Sequence, residues 1–225
     1  AWCDLGGPPV TIAGAVLAGG AGRRMGSPKA LVEVGGRALG SLAADVLEAA
    51  GARPVALVGG PDEVGATLGR TVVADRWPGE GPLGGIASAV RWASGIPGVS
   101  LVAVVACDQP GVTSELVAAL VAALVAALPA DSADGLADTT DGGPKVVGAV
   151  AQTADGRRHP FPSVWRVTAA GALDALVEAG ARRADAAFAL GVTPVLRPGS
   201  ELVDLDTPDD VARFGATDRA APPGS

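Results

Sequence analysis

Apolar residues in this chain fall into short runs separated by glycine- and proline-rich breaks, and their period switches repeatedly between strand-like and helix-like. Residues 11–17 form a nearly unbroken apolar stretch that stops at a glycine-rich segment, the signature of a buried strand feeding a turn. Residues 38–50 carry helical spacing and are closed by Gly51. Further strands are expected at 54–58, 72–74 and 101–106, with a helix at 83–94 between the last two. The run 101–106 is apolar at every position, as in a strand covered on both faces of a parallel sheet. Thr113 or Ser114 then caps a helix in which Leu116, Leu120, Leu124 and Leu128 recur every fourth residue, with Glu115 near its positive end.

The pattern changes after Pro129: residues 129–144 are polar and turn-rich. Residues 146–152 and 161–167 then read as two strands of a hairpin joined through Asp155-Gly156. Helical stretches follow at 169–178 and 182–190, an edge strand at 192–196 and a late strand at 201–205. Thr207 can cap, and Pro208 can start, a last short helix. Alternation of strands and helices predicts an α/β fold: a mostly parallel sheet with helices on both faces and a β-hairpin insertion. Residues 10–215 are expected to form a single domain between loose tails at 1–9 and 216–225.

Composition narrows the class. Seventeen Lys and Arg against 24 Asp and Glu give a net charge of −7, and the basic residues cluster only in pairs, so no footprint for a nucleic-acid backbone exists. The longest apolar run, 116–128, is 13 residues and ends at Pro129, short of the ~18 that suggest a membrane span. Cys3 and Cys107 are too few and too far apart for a disulfide scaffold or a zinc finger. No charged region leads into an apolar stretch at the start, and a reduced, cytoplasmic protein is the expectation.

The chemistry concentrates at the ends of the expected strands. After the first strand comes Leu17-Ala18-Gly19-Gly20-Ala21-Gly22-Arg23-Arg24-Met25-Gly26-Ser27-Pro28-Lys29. Glycines let successive backbone N–H groups turn toward one point, and two arginines and a lysine add positive charge, which together suit a triphosphate. Lysine occurs at only two positions, 29 and 145, so its placement here points to a specific role. The P-loop string is absent, and the dinucleotide fingerprint counted from Gly20 meets Met25 where its last glycine belongs.

The strand 101–106 runs into Cys107-Asp108-Gln109-Pro110. A carboxylate at the carboxyl end of such a strand, facing a phosphate cradle, can hold Mg²⁺ against a polyphosphate. Cys107 reads as a buried small residue. Asp75 precedes Gly79-Glu80-Gly81-Pro82-Leu83-Gly84-Gly85, where small residues opening a helix leave room for a flat base. Asp204 and Asp206 supply either a second metal ligand or caps for the final helix. His159, the only histidine, is either an acceptor-pocket residue on the hairpin or a structural one.

These segments carry a resemblance. LAGGAGRRMGSPKALVEVGG, DRWPGEGPLGGI, ACDQP, HPFPSVWR and DLDTPDD occur in the order and spacing of the molybdenum cofactor guanylyltransferases, over residues 11–214. The resemblance implies a Rossmann-like, three-layer nucleotidyltransferase fold. It also implies transfer of GMP from GTP to molybdopterin with release of pyrophosphate, Mg²⁺ as cofactor, and molybdoenzymes or their chaperones as recipients of the product. Carried over motif by motif, it implies that Leu17, Ala18, Gly19 and Gly20 contact the nucleotide, that Lys29 and Arg24 neutralise its phosphates, and that Asp75 also contacts the nucleotide. It implies that Asp108 binds nucleotide and Mg²⁺; Asp206, open between ligand and cap, is the candidate for a further metal ligand.

The chain departs from that family at Pro28, at Gly59-Gly60 where an asparagine is expected, and at Asp204-Leu205-Asp206-Thr207-Pro208. The last motif, Asp108-Gln109-Pro110 and Ser27-Pro28-Lys29 resemble the related cytidylyltransferases, whereas Gly19 resembles the guanylyl form. A cytidylyltransferase using CTP, a sugar-phosphate nucleotidyltransferase and a catalytically silent nucleotide-binding regulator are the alternatives.

Overall fold

Chain order sets the frame: β1 (Ile12–Leu17), β2 (Glu33–Val34), β3 (Arg37–Ala38), α1 (Leu39–Ala49), β4 (Val55–Val58), α2 (Asp62–Leu68), β5 (Val72–Val73), α3 (Gly81–Ser94), β6 (Leu101–Ala106), α4 (Ser114–Ala126), β7 (Gly148–Gln152), β8 (Arg158–Arg166), α5 (Ala170–Glu178), β9 (Val192–Leu196) and α6 (Pro208–Ala220). The computed structural model describes residues 10–19, 27–127 and 146–220. Seven strands make one sheet in the order β5-β4-β1-β6-β8-β7-β9, and β2 with β3 makes a separate two-stranded ribbon. Strands β5, β4, β1 and β6 are parallel. Only β8 runs against its neighbours, pairing antiparallel with β6 and β7, while β9 returns parallel to β7.

The centre of the sheet is where sequence and packing agree most closely. Ile12 to Leu17 of β1 lies beside Leu101 to Ala106 of β6 in unbroken register, and both strands are buried along nearly their whole length. Their side chains alternate between two cores. Val16, Leu101, Ala103 and Val105 pack with Leu47 of α1 and Leu116, Leu120 and Leu124 of α4. Ala13, Ala15, Val102 and Val104 pack with Leu83, Ile86 and Val90 of α3 and Leu173 and Val177 of α5. The expected three layers are therefore present. The fourfold leucine spacing of α4 is the stripe that faces the first core, and the Thr113 hydroxyl caps the helix by accepting from Leu116 N–H at 3.2 Å.

Other expectations shift. The late strand at 201–205 does not form: a 3₁₀ turn at Gly199–Leu202 is followed by irregular chain through Asp206. That chain bonds to the β6 loop, Leu205 N–H donating to Asp108 C=O at 2.8 Å, instead of joining the sheet. The stretch expected as helical at 182–190 is a 3₁₀ segment, Ala184–Leu190. Helix α6 continues past residue 215 to Ala220, so part of the expected C-terminal tail is helical. Thr207 and Asp210 cap α6 reciprocally: Asp210 Oδ2 accepts from Thr207 N–H at 2.9 Å and from its hydroxyl, while Thr207 Oγ1 accepts from Asp210 N–H at 3.2 Å. The β2–β3 ribbon turns through Gly35 and Gly36, both at positive φ, and together with α2 it adds two elements the apolar pattern does not signal. Residues 1–9, 20–26, 128–145 and 221–225, including all of the polar stretch at 129–144, lie outside the described residues.

Trp165 anchors the antiparallel half of the sheet, fully buried with its indole N–H donating to Ser163 Oγ at 2.9 Å. A Cβ on Gly148, its cross-strand partner, would sit 2.8 Å from the Trp165 ring. Gly148→Ala is expected to lower stability by about 1–3 kcal/mol, the cost of overpacking a core that cannot yield, measured by urea denaturation.

Candidate active site

The carboxyl ends of β1, β4 and β6 open onto one cleft of about 380 Å³. Leu17 and Gly19 reach it from β1, Val58 from β4, and Ala106, Cys107 and Asp108 from β6. Gly79, Gly81, Pro82 and Gly85 line it from the start of α3, Phe161 from β8, with Asp75 and Lys29 completing the wall. A parallel sheet leaves its helix-start loops and strand ends on the same side, so residues far apart in sequence meet here.

Lys29 stands at the junction. Its Nζ donates to Asp108 Oδ2 at 2.7 Å and to Asp206 Oδ1 at 2.6 Å. Partial burial works against its charge, but the hydrogen bonds from both carboxylates and the charges behind them prevail and raise its pKa above the ordinary value. The 3₁₀ turn Lys29–Leu31 holds the lysine backbone, with Ala30 buried beneath it. Asp206 is held from the other side, its N–H donating to Asp210 Oδ2 at 3.2 Å within the α6 cap.

Gln109 and Asp204 form a second tie between the same two loops. Gln109 is buried, and its Nε2 donates to Asp204 Oδ1 at 2.7 Å. Asp204 is exposed on one side, yet crowding by protein on the other raises its carboxyl pKa; the Gln109 hydrogen bond opposes this, and the nearby charges of Asp108 and Asp206 add to it.

Asp75 is oriented on the α3 side. Its Oδ1 accepts from Trp77 N–H at 2.9 Å and from the Ser88 hydroxyl at 2.7 Å. Its Oδ2 accepts no hydrogen bond from the described residues, although Asp75 lines the cleft. Gly59, at φ +71°, lies directly behind: a Cβ there would be 3.1 Å from Gly19 Cα. The expected asparagine position is thus occupied by a backbone that only glycine adopts easily and that closes on the β1 turn. Gly81 has φ +76°, and a Cβ there would meet the Arg182 carbonyl oxygen at 2.7 Å; that carbonyl also accepts from Leu83 N–H in the first turn of α3.

The structure therefore brings together Leu17, Gly19, Lys29, Asp75 and Asp108 in one cleft, with Asp206 at its edge through Lys29. Ala18 is buried beneath the turn, its N–H bonded to Val58 C=O. Gly20 and Arg24 lie outside the described residues. His159 faces Thr153 Oγ1 at 3.4 Å on the hairpin; burial and then Arg157 lower its pKa, opposed by Asp204 and Asp155. Ser88, Trp77, Phe161 and Gln109 were not singled out individually from sequence. Each matters through a contact between distant segments, and an apolar or polar pattern carries no sign of that.

A Rossmann-like sheet with a lysine and paired carboxylates beside a glycine-walled cleft defines a nucleotidyltransferase. The chain belongs to the MobA-like NTP transferase domain family, whose model matches residues 14–190. It is 35% identical over 206 residues to the molybdenum cofactor guanylyltransferase of Rhodobacter capsulatus, covering 90% of this chain and 94% of that one. It is 33% identical to the molybdenum cofactor guanylyltransferase of Rhizobium leguminosarum bv. trifolii, over 89% of this chain and 90% of the relative. Among solved structures, molybdopterin-guanine dinucleotide biosynthesis protein A from Archaeoglobus fulgidus shares the fold with a TM-score of 0.64 at 20% identity, covering 93% of this chain and all of that one. Among the described residues no helix is long and apolar enough to cross a membrane.

Cys107 lies in the cleft wall but is built to be inert. It is 4% exposed, and burial, reinforced by the charge of Asp108, pushes its thiol up to about 12. In a Cys3→Ser background, iodoacetamide is expected to leave Cys107 essentially unlabelled at about pH 8 in the folded protein and to label it on unfolding, because the thiolate is the reactive form. Mass spectrometry reads the result.

Proposed function

We propose that this protein transfers GMP from GTP to the phosphate of molybdopterin, forming the guanine dinucleotide cofactor and releasing pyrophosphate. The observation that carries the reading is the convergence of Lys29, Asp108 and Asp206 beside a cleft walled by Gly19, Asp75 and the glycines at the start of α3. The names of relatives matched along nearly their whole length supply the substrates.

In this reading the guanine and ribose lie between the β1 turn and the start of α3, and the triphosphate lies toward Lys29. An acceptor phosphate oxygen attacks the α-phosphorus, the α–β bridging bond breaks, and pyrophosphate leaves with that electron pair. The side chains form no covalent intermediate; they position the reactants and neutralise charge. Lys29 is held between carboxylates without substrate, so the triphosphate competes with Asp108 and Asp206 for its ammonium. Arg24 adds positive charge on the phosphates.

Mg²⁺ fits the donor set. Two hard carboxylates from separate loops already converge on one positive charge, that of Lys29. Among the described residues no cluster of three or more His, Cys, Asp or Glu could enclose a metal alone. The ion would be held by Asp108 and Asp206 together with phosphate oxygens, the mode Mg²⁺ commonly uses, and would supply charge neutralisation at the phosphates. The reading sets the reaction in the cytoplasm, where GTP is available.

The cytidylyl alternative rests on Asp108-Gln109-Pro110 and the Asp-Leu-Asp-Thr-Pro motif; the matched relatives do not favour it. Gly19 is open to direct examination, because a Cβ there would meet Gly59 Cα and Gly60 N only at ordinary contact distances of 3.8 and 3.9 Å. The fold therefore does not demand glycine at this point.

Pyrophosphate release with Mg²⁺ and molybdopterin is expected with GTP as sole nucleotide and not with CTP or ATP; release with CTP alone refutes the guanylyl assignment. Lys29→Ala and Asp108→Ala are each expected to cut turnover by about 10²-fold or more, as when a charge-stabilising group is removed, and normal turnover of either would remove it from the reaction. Gly19→Ala is expected to fold normally and to move the GTP/CTP ratio toward CTP, measured as the ratio of kcat/KM values.

A further inference from the structure

A hydrogen-bonded chain leads from the cleft wall to a buried carboxylate outside it. Asp174, on α5, is 6% exposed and takes no part in lining the cleft. Its Oδ2 accepts from Arg91 Nε at 3.0 Å and Nη2 at 2.6 Å, and its Oδ1 accepts from the Trp77 indole N–H at 3.3 Å. Trp77 carries the backbone N–H that binds Asp75 Oδ1, and Arg76 N–H donates to Ser88 Oγ at 2.9 Å while the Ser88 hydroxyl donates to that same Asp75 oxygen. Ser88 and Arg91 are three residues apart on α3 and so share a face. The 75–77 loop is thereby clamped between two helices. Gly84 lets this loop pack closely on α3: a Cβ at that position would lie 2.9 Å from Trp77 Cβ.

We propose that Asp174 is a positioning residue for nucleotide recognition, acting through Trp77 to fix the Asp75 carboxylate. The arrangement occupies one oxygen of Asp75 internally and leaves the other for a donor in the cleft. A base edge that presents N–H groups is the chemistry this suits, and a carboxylate free to rotate would accept it less well. The inference rests on the nucleotide-binding reading of the cleft and deepens it: discrimination between bases depends on the contact between α3 and α5 as well as on the residues that touch the nucleotide. A residue with only a structural role would change stability alone.

Equilibrium binding of GTP and of CTP to the full chain with Mg²⁺, without acceptor, tests it, with thermal melts recorded alongside. Trp77→Phe keeps an aromatic ring and removes the indole donor. It is expected to weaken GTP binding about tenfold, the scale of one hydrogen bond to a charged group, and to narrow the GTP/CTP ratio. In an Asp75→Asn background the same change is expected to add nothing further, because its effect passes through Asp75. Asp174→Ala is expected to act like Trp77→Phe, and Asp174→Asn, whose amide oxygen can still accept the indole N–H, to retain most of the affinity. Full additivity of Trp77→Phe and Asp75→Asn overturns the proposal, as does a Trp77→Phe variant that melts lower yet binds GTP normally. Wild-type protein that binds neither nucleotide overturns the reading of the cleft itself, and the proposal with it. If wild-type binds GTP and Asp75→Asn does so equally well, the cleft reading survives and the positioning role is refuted.

Discussion

The ammonium of Lys29 joins three parts of the chain that lie far apart in sequence. It comes from the turn after β1, Asp108 from the end of β6, and Asp206 from the irregular segment before α6. Two carboxylates facing one another would repel and spread apart; with a cation between them they close the carboxyl end of the sheet. The surrounding construction serves this contact. Gln109 bonds Asp204, Leu205 N–H bonds the Asp108 carbonyl, and the α6 cap fixes the backbone at Asp206. The cluster is partly exposed, so its main consequence is placement: charge of both signs is collected at the edge of the cleft.

The sheet divides the remaining work. Its parallel half, β5-β4-β1-β6, builds the wall with α3, and every side chain there that reaches the cleft does so from a strand end or a helix start. Its antiparallel half sends Phe161 toward the cleft and carries His159 beyond it. Between Val150 and Ala151 the β7–β8 register shifts, which frees Phe161 from the strict alternation of the ladder.

Much of this was legible in the sequence because it depends on local pattern. Continuous apolar strands at the positions of β1 and β6, the leucine stripe of α4, the Asp155-Gly156 turn and the Thr207-Pro208 helix start each follow from period or capping chemistry within a few residues. The placement of Lys29 and Asp108 followed from strand ends in a parallel sheet. What escaped has a common cause. The stretch at 201–205 looks like a strand by composition, but its backbone groups go to the β6 loop, and only the folded chain shows that. Gln109, Ser88 and Trp77 look like ordinary loop and helix residues; their roles exist only as contacts across 95, 13 and 97 positions respectively. Two residues each in β2 and β3 are too few for any periodicity to register.

The hairpin between β7 and β8 has a consequence for how such a protein can diversify. Its tip is stitched by its own groups, with Thr153 bonding the Arg157 carbonyl and Asp155, and Gly156 supplying the positive φ of the turn. The ladder below the tip is pinned separately, by Trp165 against Gly148 and by pairing with β6. Residues at the tip can therefore be exchanged, lengthened or shortened without altering the register of the strands or the junction at Lys29. The fold thus separates a self-contained tip from the strand register and the junction at Lys29, so that variation in one leaves the other in place.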